Sequence, residues 1–551
     1  MIYEPSRRQP LRLVGQDRAA PPAGGGPEER PEVQLTYDLA RNVDALDEAL
    51  GRTAGEVFQR ALELVEVVTE RRPSLVSEGT PVLRKLNLHS VGTIVMRGVD
   101  TLVWKTPTKK DPGGWVLGRP PADTALLPLL AFGRWAHVRP ISGITEAPLF
   151  RPDGTIMQAA GYDPPTGYLF RPNATFPRVP DEPTQEDARN AMLSLQHVFC
   201  DFPYTSPAAA AVPIAALLTV LARAAIDGPV PVFGFEASVQ GSGKTMQGDI
   251  VHLIATGRLP PKSSFPETAT DQRKELLSLA LSGSPVGFFD NVKGVFGGAP
   301  LEALVTSGEL RQRVLGASED KVVRWLATII VTGNNMHPTE DMIRRMLMCR
   351  IEPDTEDPTK RTAFAHDDLV GWVKAERERL IVAALTILRA YACKGYPSAG
   401  TGVMQSFHAW SNLIPGAIVY VGGPNVIETV GTAEAGSDEA AAVSAVIKLL
   451  PIVCGKHAMS SREILSLMYA ASGEHADQLK EAVELLAPPK GNGETKPQAL
   501  GIALRARKGQ VSGTSRIVME RDRVKKIDLW RVVSTKSEQQ QLADAPTSAP
   551  A

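Results

Sequence analysis

The spacing of apolar residues changes several times along this chain. Residues 44–68, "DALDEALGRTAGEVFQRALELVEVV", place apolar side chains at helical intervals and predict a helix. The next segments, "GTIVMRGVDTLVWKTP" and "APLFRPDGTIMQAAGYDPPTGYLFRP", are short β-rich runs split by the turn chemistry of "RPDG" and "DPPTG". Together they predict an α+β N-terminal domain over residues 35–180. Between 185 and 355 the pattern becomes strand, loop and helix in alternation, which predicts a largely parallel α/β core. Residues 364–395 read as a long helix or a pair, and "SFHAWSNLIPGAIVYVGG" as another, giving a helical extension over 360–435. A smaller module over 440–535 strings helical segments before the strand-like "SRIVMERDRVKKIDLWRVVS", the outline of a winged helix. Residues 1–34 and 536–551 are polar and read as a disordered lead and tail.

One apolar run, "AAAAVPIAALLTVLARAA" at 208–225, approaches the length of a membrane span. It carries Pro213 and Arg223 and leads straight into another apolar stretch, so the expectation is a helix buried beside a sheet. No membrane association is expected.

The chemistry concentrates where the core begins. "PVFGFEAS" reads as a strand, "VQGSGKT" as a glycine-rich loop and "MQGDIVHLIATG" as the helix that follows. In a P-loop, backbone N–H groups and a helix N-terminus face the phosphates of a nucleotide. Gly241, Ser242 and Gly243 form the turn, Lys244 reaches the β- and γ-phosphates, and Thr245 holds Mg²⁺. Ser238 stands where the consensus begins with glycine, at the position farthest from the phosphates. ATP and Mg²⁺ are therefore the expected cofactors.

Further along, "SPVGFFDNVKG" is an apolar run ending in Asp290, as expected for a carboxylate in the Mg²⁺ shell. The next residue, where such enzymes usually place a water-activating glutamate, is Asn291, an amide that orients water without taking its proton. Either another carboxylate serves, with Glu236 the candidate, or hydrolysis is slow. A third strand, "WLATIIVTGNN", ends in Asn334 and Asn335. In P-loop ATPases with an additional strand between the first two, a polar residue here senses the γ-phosphate. Arg344 and Arg345 follow in "EDMIRRMLMCRIE", suited to complete a neighbouring subunit's site as an arginine finger.

Composition narrows the setting. The 551 residues carry a formal net charge of −1, so any nucleic-acid contact has to be local. The four cysteines lie far apart without a C-x-x-C pair, which argues against a zinc ribbon and for a reducing, cytoplasmic location. No apolar leader is visible at the N-terminus. His89 and His137 are single histidines without ligand partners in sequence, and no D-x-D pair suggests primer synthesis.

The order "GSGKT", "FFDNVKG", "TGNN", "RR" resembles the superfamily 3 helicases, a branch related to AAA+ ATPases found in viruses, phages and mobile elements. The match covers roughly residues 230–352. A wider likeness extends to primase- or helicase-like ATPases of bacterial prophages and integrative elements. The resemblance implies an AAA+-like parallel core, a homo-oligomer in a hexameric ring, and ATP hydrolysis coupled to movement on DNA in replication of such an element. It also implies a β-hairpin between the acid and sensor strands, here "RQRVLGASEDKVVRW", that meets DNA through basic residues. Its tip is acidic, leaving Lys321 and Arg324 on the returning strand and Arg311 and Arg313 on the outgoing one. Arg505, Arg507 and Lys508, in the basic stretch of the C-terminal module, are a second candidate DNA contact. Two other readings stay open: an AAA+-like remodeller of proteins, and an ATP-gated DNA-binding initiator or regulator with little turnover.

Overall fold

The computed structural model describes residues 30–53, 55–70, 79–237, 241–313, 320–353, 364–431, 438–489, 493–507, 511–512, 515–522 and 527–534. They divide into two units: residues up to 66 with 85–139, and residues 67–84 with 140 onward.

In the first unit, β1 (Glu32–Leu35) leads into α1 (Leu39–Thr53). The helix expected over 44–68 stops there, because "VFQR" and "ELVE" pair as antiparallel strands across a turn at Ala61 and Leu62, both at positive φ. The local alternation around Val57 and Val65 favours strands once one face is buried. The opposite change occurs at α2 (Leu88–Gly98), where the β-rich reading gives way to a helix started by an Asn87 capping box. Val91 and Val95, one turn apart, bury its inner face. β2 (Asp100–Lys105) pairs in parallel with β1 and antiparallel with β3 (Gly114–Leu117). Leu46, Leu50, Val91 and Leu129 form the core beneath this sheet.

The short strands of 143–170, grouped by sequence with the N-terminal domain, belong instead to the second unit. Their anchors explain this: Glu146 pairs with Arg258, and Arg389 donates to the Gly154 carbonyl at 2.8 Å. In the same unit α3 (Gln185–Val198) starts at a Thr184–Asp187 capping box. The apolar run forms α4 (Pro207–Ala222), which Ser206 caps by accepting from Ala209 N at 3.1 Å. The helical stretch Pro207–Ala225 is long and apolar enough to cross a membrane, but 83% of that window is buried within the protein.

Four parallel strands make the central sheet: β4 (Val232–Ala237), β5 (Val286–Phe296), β8 (Thr328–Pro338) and β9 (Met346–Ile351). Their spatial order is β5, β8, β4, β9, so β8 lies between β5 and β4. Phe233, Phe235, Ile330 and Leu347 are fully buried, as expected of a parallel sheet covered on both faces. Between β5 and β8 in sequence stands the antiparallel hairpin of β6 (Glu309–Arg313) and β7 (Asp320–Arg324). Its root is held by buried Arg223, which donates to the Trp325 carbonyl at 2.8 Å. The short helix α6 (Glu340–Ile343) precedes β9, and the long helices α7 (Leu369–Cys393) and α8 (His408–Tyr420) follow it.

At the C-terminal end, α9 (Asp438–Val453), strand β10 (Met459–Ser460), α10 (Ser461–Ala470), α11 (Glu474–Leu486) and α12 (Pro497–Ala506) come in succession. A ribbon of β11 (Val511–Ser512), β12 (Ser515–Asp522) and β13 (Ile527–Ser534) follows, with β10 paired antiparallel to β13. Leu479, Leu500, Ile517 and Trp530 are its buried centre.

Candidate functional site

At the C-terminal end of β4, the helix α5 (Lys244–Thr256) begins directly after Gly243, whose φ is +90°. That left-handed conformation is costly for residues with a Cβ. The space is closed as well, because a Cβ on Gly243 would lie 2.8 Å from Phe202 Cε1. Gly241 is also at positive φ, while Ser238, Val239 and Gln240 lie outside the described residues. Ser242 Oγ is buried and has no hydrogen-bond partner among the described residues.

Lys244 is only 8% exposed and forms no ion pair among the described residues. Burial lowers its pKa, partly opposed by the Asp290 carboxylate. A buried ammonium without a partner is costly, and an anion brought to this loop would relieve that cost.

Asp290 is the meeting point of three elements. Its Oδ1 accepts from Thr245 Oγ1 at 2.9 Å and from Thr332 Oγ1 at 2.6 Å. The Thr332 hydroxyl in turn accepts from Asn291 N at 3.0 Å. Strand β5 does not end at Asp290, as the apolar pattern suggested, and β8 does not end at Asn335. Instead β5 bulges: pairing shifts between Phe289 and Val292 and continues to Phe296 opposite Pro338. Asn291 takes the extra position at φ +54°, a conformation that asparagine tolerates better than most residues. The bulge re-aims consecutive side chains, leaving Asn291 exposed beside the Thr245–Asp290 pair. One Asp290 oxygen accepts nothing among the described residues. With Thr245 Oγ1 it forms the kind of hard-oxygen pair that suits Mg²⁺.

Glu236, the alternative carboxylate, is held on both sides. Oε2 accepts from Arg350 Nη2 at 2.6 Å, and Oε1 accepts from Met336 N at 3.2 Å. In this arrangement it is a buried bridge between β4, β8 and β9 rather than a free base. Asn334 follows Gly333, which stands between Glu236 and Val292 in the register. Its side-chain Oδ1 is buried with no hydrogen-bond partner among the described residues.

Arg344 and Arg345 follow α6 but differ in environment. Arg344 is 74% exposed in its side chain and pairs with Asp341 at 2.9 Å, whereas Arg345 is mostly buried and approaches Asp341 at 3.7 Å. On the hairpin, Arg324 makes an exposed pair with Asp227 at 3.5 Å, and Arg311 is exposed. The tip, 314–319, and the side chains of Arg313 and Lys321 lie outside the described residues. In the C-terminal module Arg505 and Arg521 converge on Asp528, and Arg507 donates to the Ala503 carbonyl at 2.8 Å. Lys508 lies outside the described residues.

Sequence reading missed Thr332, Phe202 and Arg350. Thr332 had a weak signal, a hydroxyl in an apolar strand just before "GNN". Phe202 and Arg350 had none, because their partners Gly243 and Glu236 lie far away in the chain.

No protein-family model matches this chain. No curated protein matches it either. Among solved structures, the A-form apo structure of the NrS-1 C-terminal region is similar at 12% identity and a TM-score of 0.34, covering 85% of this chain and 96% of that one. An active helicase, Cch of SCCmec type IV, is similar at 10% identity and a TM-score of 0.30, covering 88% and 98%.

Proposed function

We propose that this protein is a P-loop ATPase that acts on DNA, a motor of superfamily 3 helicase type serving a phage or integrated mobile element. The observation that carries the nucleotide reading is the Thr245–Asp290–Thr332 array. It joins the helix after a glycine turn to an acid strand and to a third strand inserted between them. Buried Lys244, without an ion pair among the described residues, and the Ser242 hydroxyl supply donors that a triphosphate would satisfy.

In this reading the loop N–H groups and Lys244 bind the phosphates, Thr245 and Asp290 hold Mg²⁺, and Asn334 contacts the terminal phosphate. Bound Mg²⁺ would neutralise charge developing on the phosphate oxygens. Asn291 orients the attacking water, and exposed Arg344 reaches the site of a neighbouring copy in a ring. The β6–β7 hairpin and the C-terminal module, read as a winged helix, are the DNA-facing parts.

The test is ATP turnover with and without single- and double-stranded DNA, beside Lys244→Ala. Turnover stimulated by DNA and lost in the variant is expected; turnover intact in Lys244→Ala refutes the site. A second reading, an ATP-gated DNA-binding switch, is favoured by one specific observation: Asn291 is no base and Glu236 is already engaged. Tight ATP binding with negligible turnover, raised by Asn291→Glu, would select it. Turnover indifferent to DNA would instead point to a protein remodeller.

A further inference from the structure

The first unit has a solvent face whose chemistry the ATPase reading does not use. Trp104 on β2 stands directly opposite Trp115 on β3, so both indoles project from the same side of the sheet. Their centroids are 5.5 Å apart at 74°, and the residues are 44% and 38% exposed. Leu117, opposite Leu102, extends the same face and is 69% exposed. The other side of this sheet carries Val33, Leu35 and Thr101 into the core, so the tryptophans are not needed to cover it.

Cations lie at either end of this β2–β3 hairpin. Lys109 and Lys110 are the exposed central residues of the turn between β2 and β3, closed by mutual backbone hydrogen bonds of Thr108 and Asp111. Arg119 is exposed just past β3. Of the acids on this side, Asp111 pairs with Lys105 and Asp100 approaches Arg30 at 3.9 Å, while Glu32, beside Asp100 in the register, is exposed. A protein partner's apolar patch would meet this cationic rim at a desolvation cost. A single strand of nucleic acid instead brings phosphates to the lysines and flat base faces to the indoles. A duplex offers the indoles few free base faces, because its bases are stacked on one another.

We infer that the Trp104–Trp115 face, with Lys109 and Lys110, is a binding platform for single-stranded nucleic acid. This stands independently of the nucleotide site. DNA and RNA share the chemistry, so matched deoxy and ribo 20-mers decide between them.

The experiment uses the full chain without nucleotide and end-labelled oligo-dT and oligo-U, read by anisotropy. Trp104→Ala/Trp115→Ala should weaken binding by about tenfold to a hundredfold, the usual consequence of losing one or two stacked bases. Trp104→Phe/Trp115→Phe, which keeps two rings, should stay within a few-fold of the parent. Lys109→Glu/Lys110→Glu, on a turn that carries no core residue, should weaken binding and flatten its salt dependence. Binding of a fluorescent ATP analogue should be unchanged in all three, which separates this face from the P-loop. Parent-like affinity in both the alanine and glutamate variants would overturn the inference, as would a parent that binds neither oligomer. A change in oligomeric state with unchanged oligomer affinity would also overturn it, marking the face as a protein interface.

Discussion

Thr332 makes two hydrogen bonds with one hydroxyl, donating to Asp290 and accepting from Asn291 N. Thr332→Val keeps the shape and removes both. A hydrogen bond to a charged group contributes about 1.5–3 kcal/mol, so turnover should fall roughly tenfold to a hundredfold. Steady-state kinetics beside nucleotide binding reads this; an unchanged kcat would mean that Thr332 only supports the strand. His252 gives a prediction of another kind. It is buried in α5, hydrogen-bonded through Nδ1 to the Arg258 carbonyl at 2.7 Å, and burial pushes its pKa down to about 4. The unfolded chain, with an ordinary value near 6.5, binds a proton first as pH falls. Stability is therefore full above about pH 6.5 and is lost progressively towards pH 4, by about 3 kcal/mol from this group. Urea titrations of parent and His252→Gln across that range should diverge in slope, and parallel curves would refute the assignment. Neither residue belongs to a recognisable motif; Thr332 acts through partners on another strand, which only the fold supplies.

At the scale of elements, β4 and β9 are joined by more than their ladder. Glu236 and Arg350 are direct neighbours in the parallel register, and their side chains pair at 2.6 Å. Replacing Glu236 by Gln leaves Arg350 partly buried without its counter-charge. Breaking a fully buried pair costs about 3–5 kcal/mol, and partial exposure of Arg350 reduces this to roughly 2 kcal/mol. The expectation is a lower unfolding midpoint with turnover reduced no more than several-fold. Lost turnover with an unchanged midpoint would make Glu236 the base after all. The same scale explains which elements were legible. The glycine turn and α5 announced themselves because loop and helix chemistry is local in sequence. The stretch 57–70 did not, because "VFQR" and "ELVE" satisfy helical spacing and strand alternation alike, and only their mutual pairing decides.

For the whole molecule, the exposed guanidinium of Arg344 is the basis of the shared-site proposal. Lys244→Ala and Arg344→Ala proteins should each be nearly inactive alone. Mixed and allowed to exchange subunits, they should regain activity, because some junctions then combine an intact loop with an intact arginine. No recovery on mixing, with exchange verified, would place each site within one copy. Arg345, mostly buried, should not complement in this way.

What the sequence determined by itself was the local chemistry: a glycine-rich turn before a helix, an acid and later a pair of amides each following an apolar run, and an apolar helix at 208–225 suited to burial. Tertiary structure decided the rest. It set β8 between β5 and β4, and it continued β5 and β8 past a bulge at Asn291. It also occupied Glu236 with Arg350, assigned 143–170 to the larger unit, and turned two tryptophans to solvent on one sheet face. The division has a physical cause. Turn and helix signals depend on neighbours a few residues away, whereas strand order, ion-pair partners and the exposed side of a sheet depend on distant segments meeting.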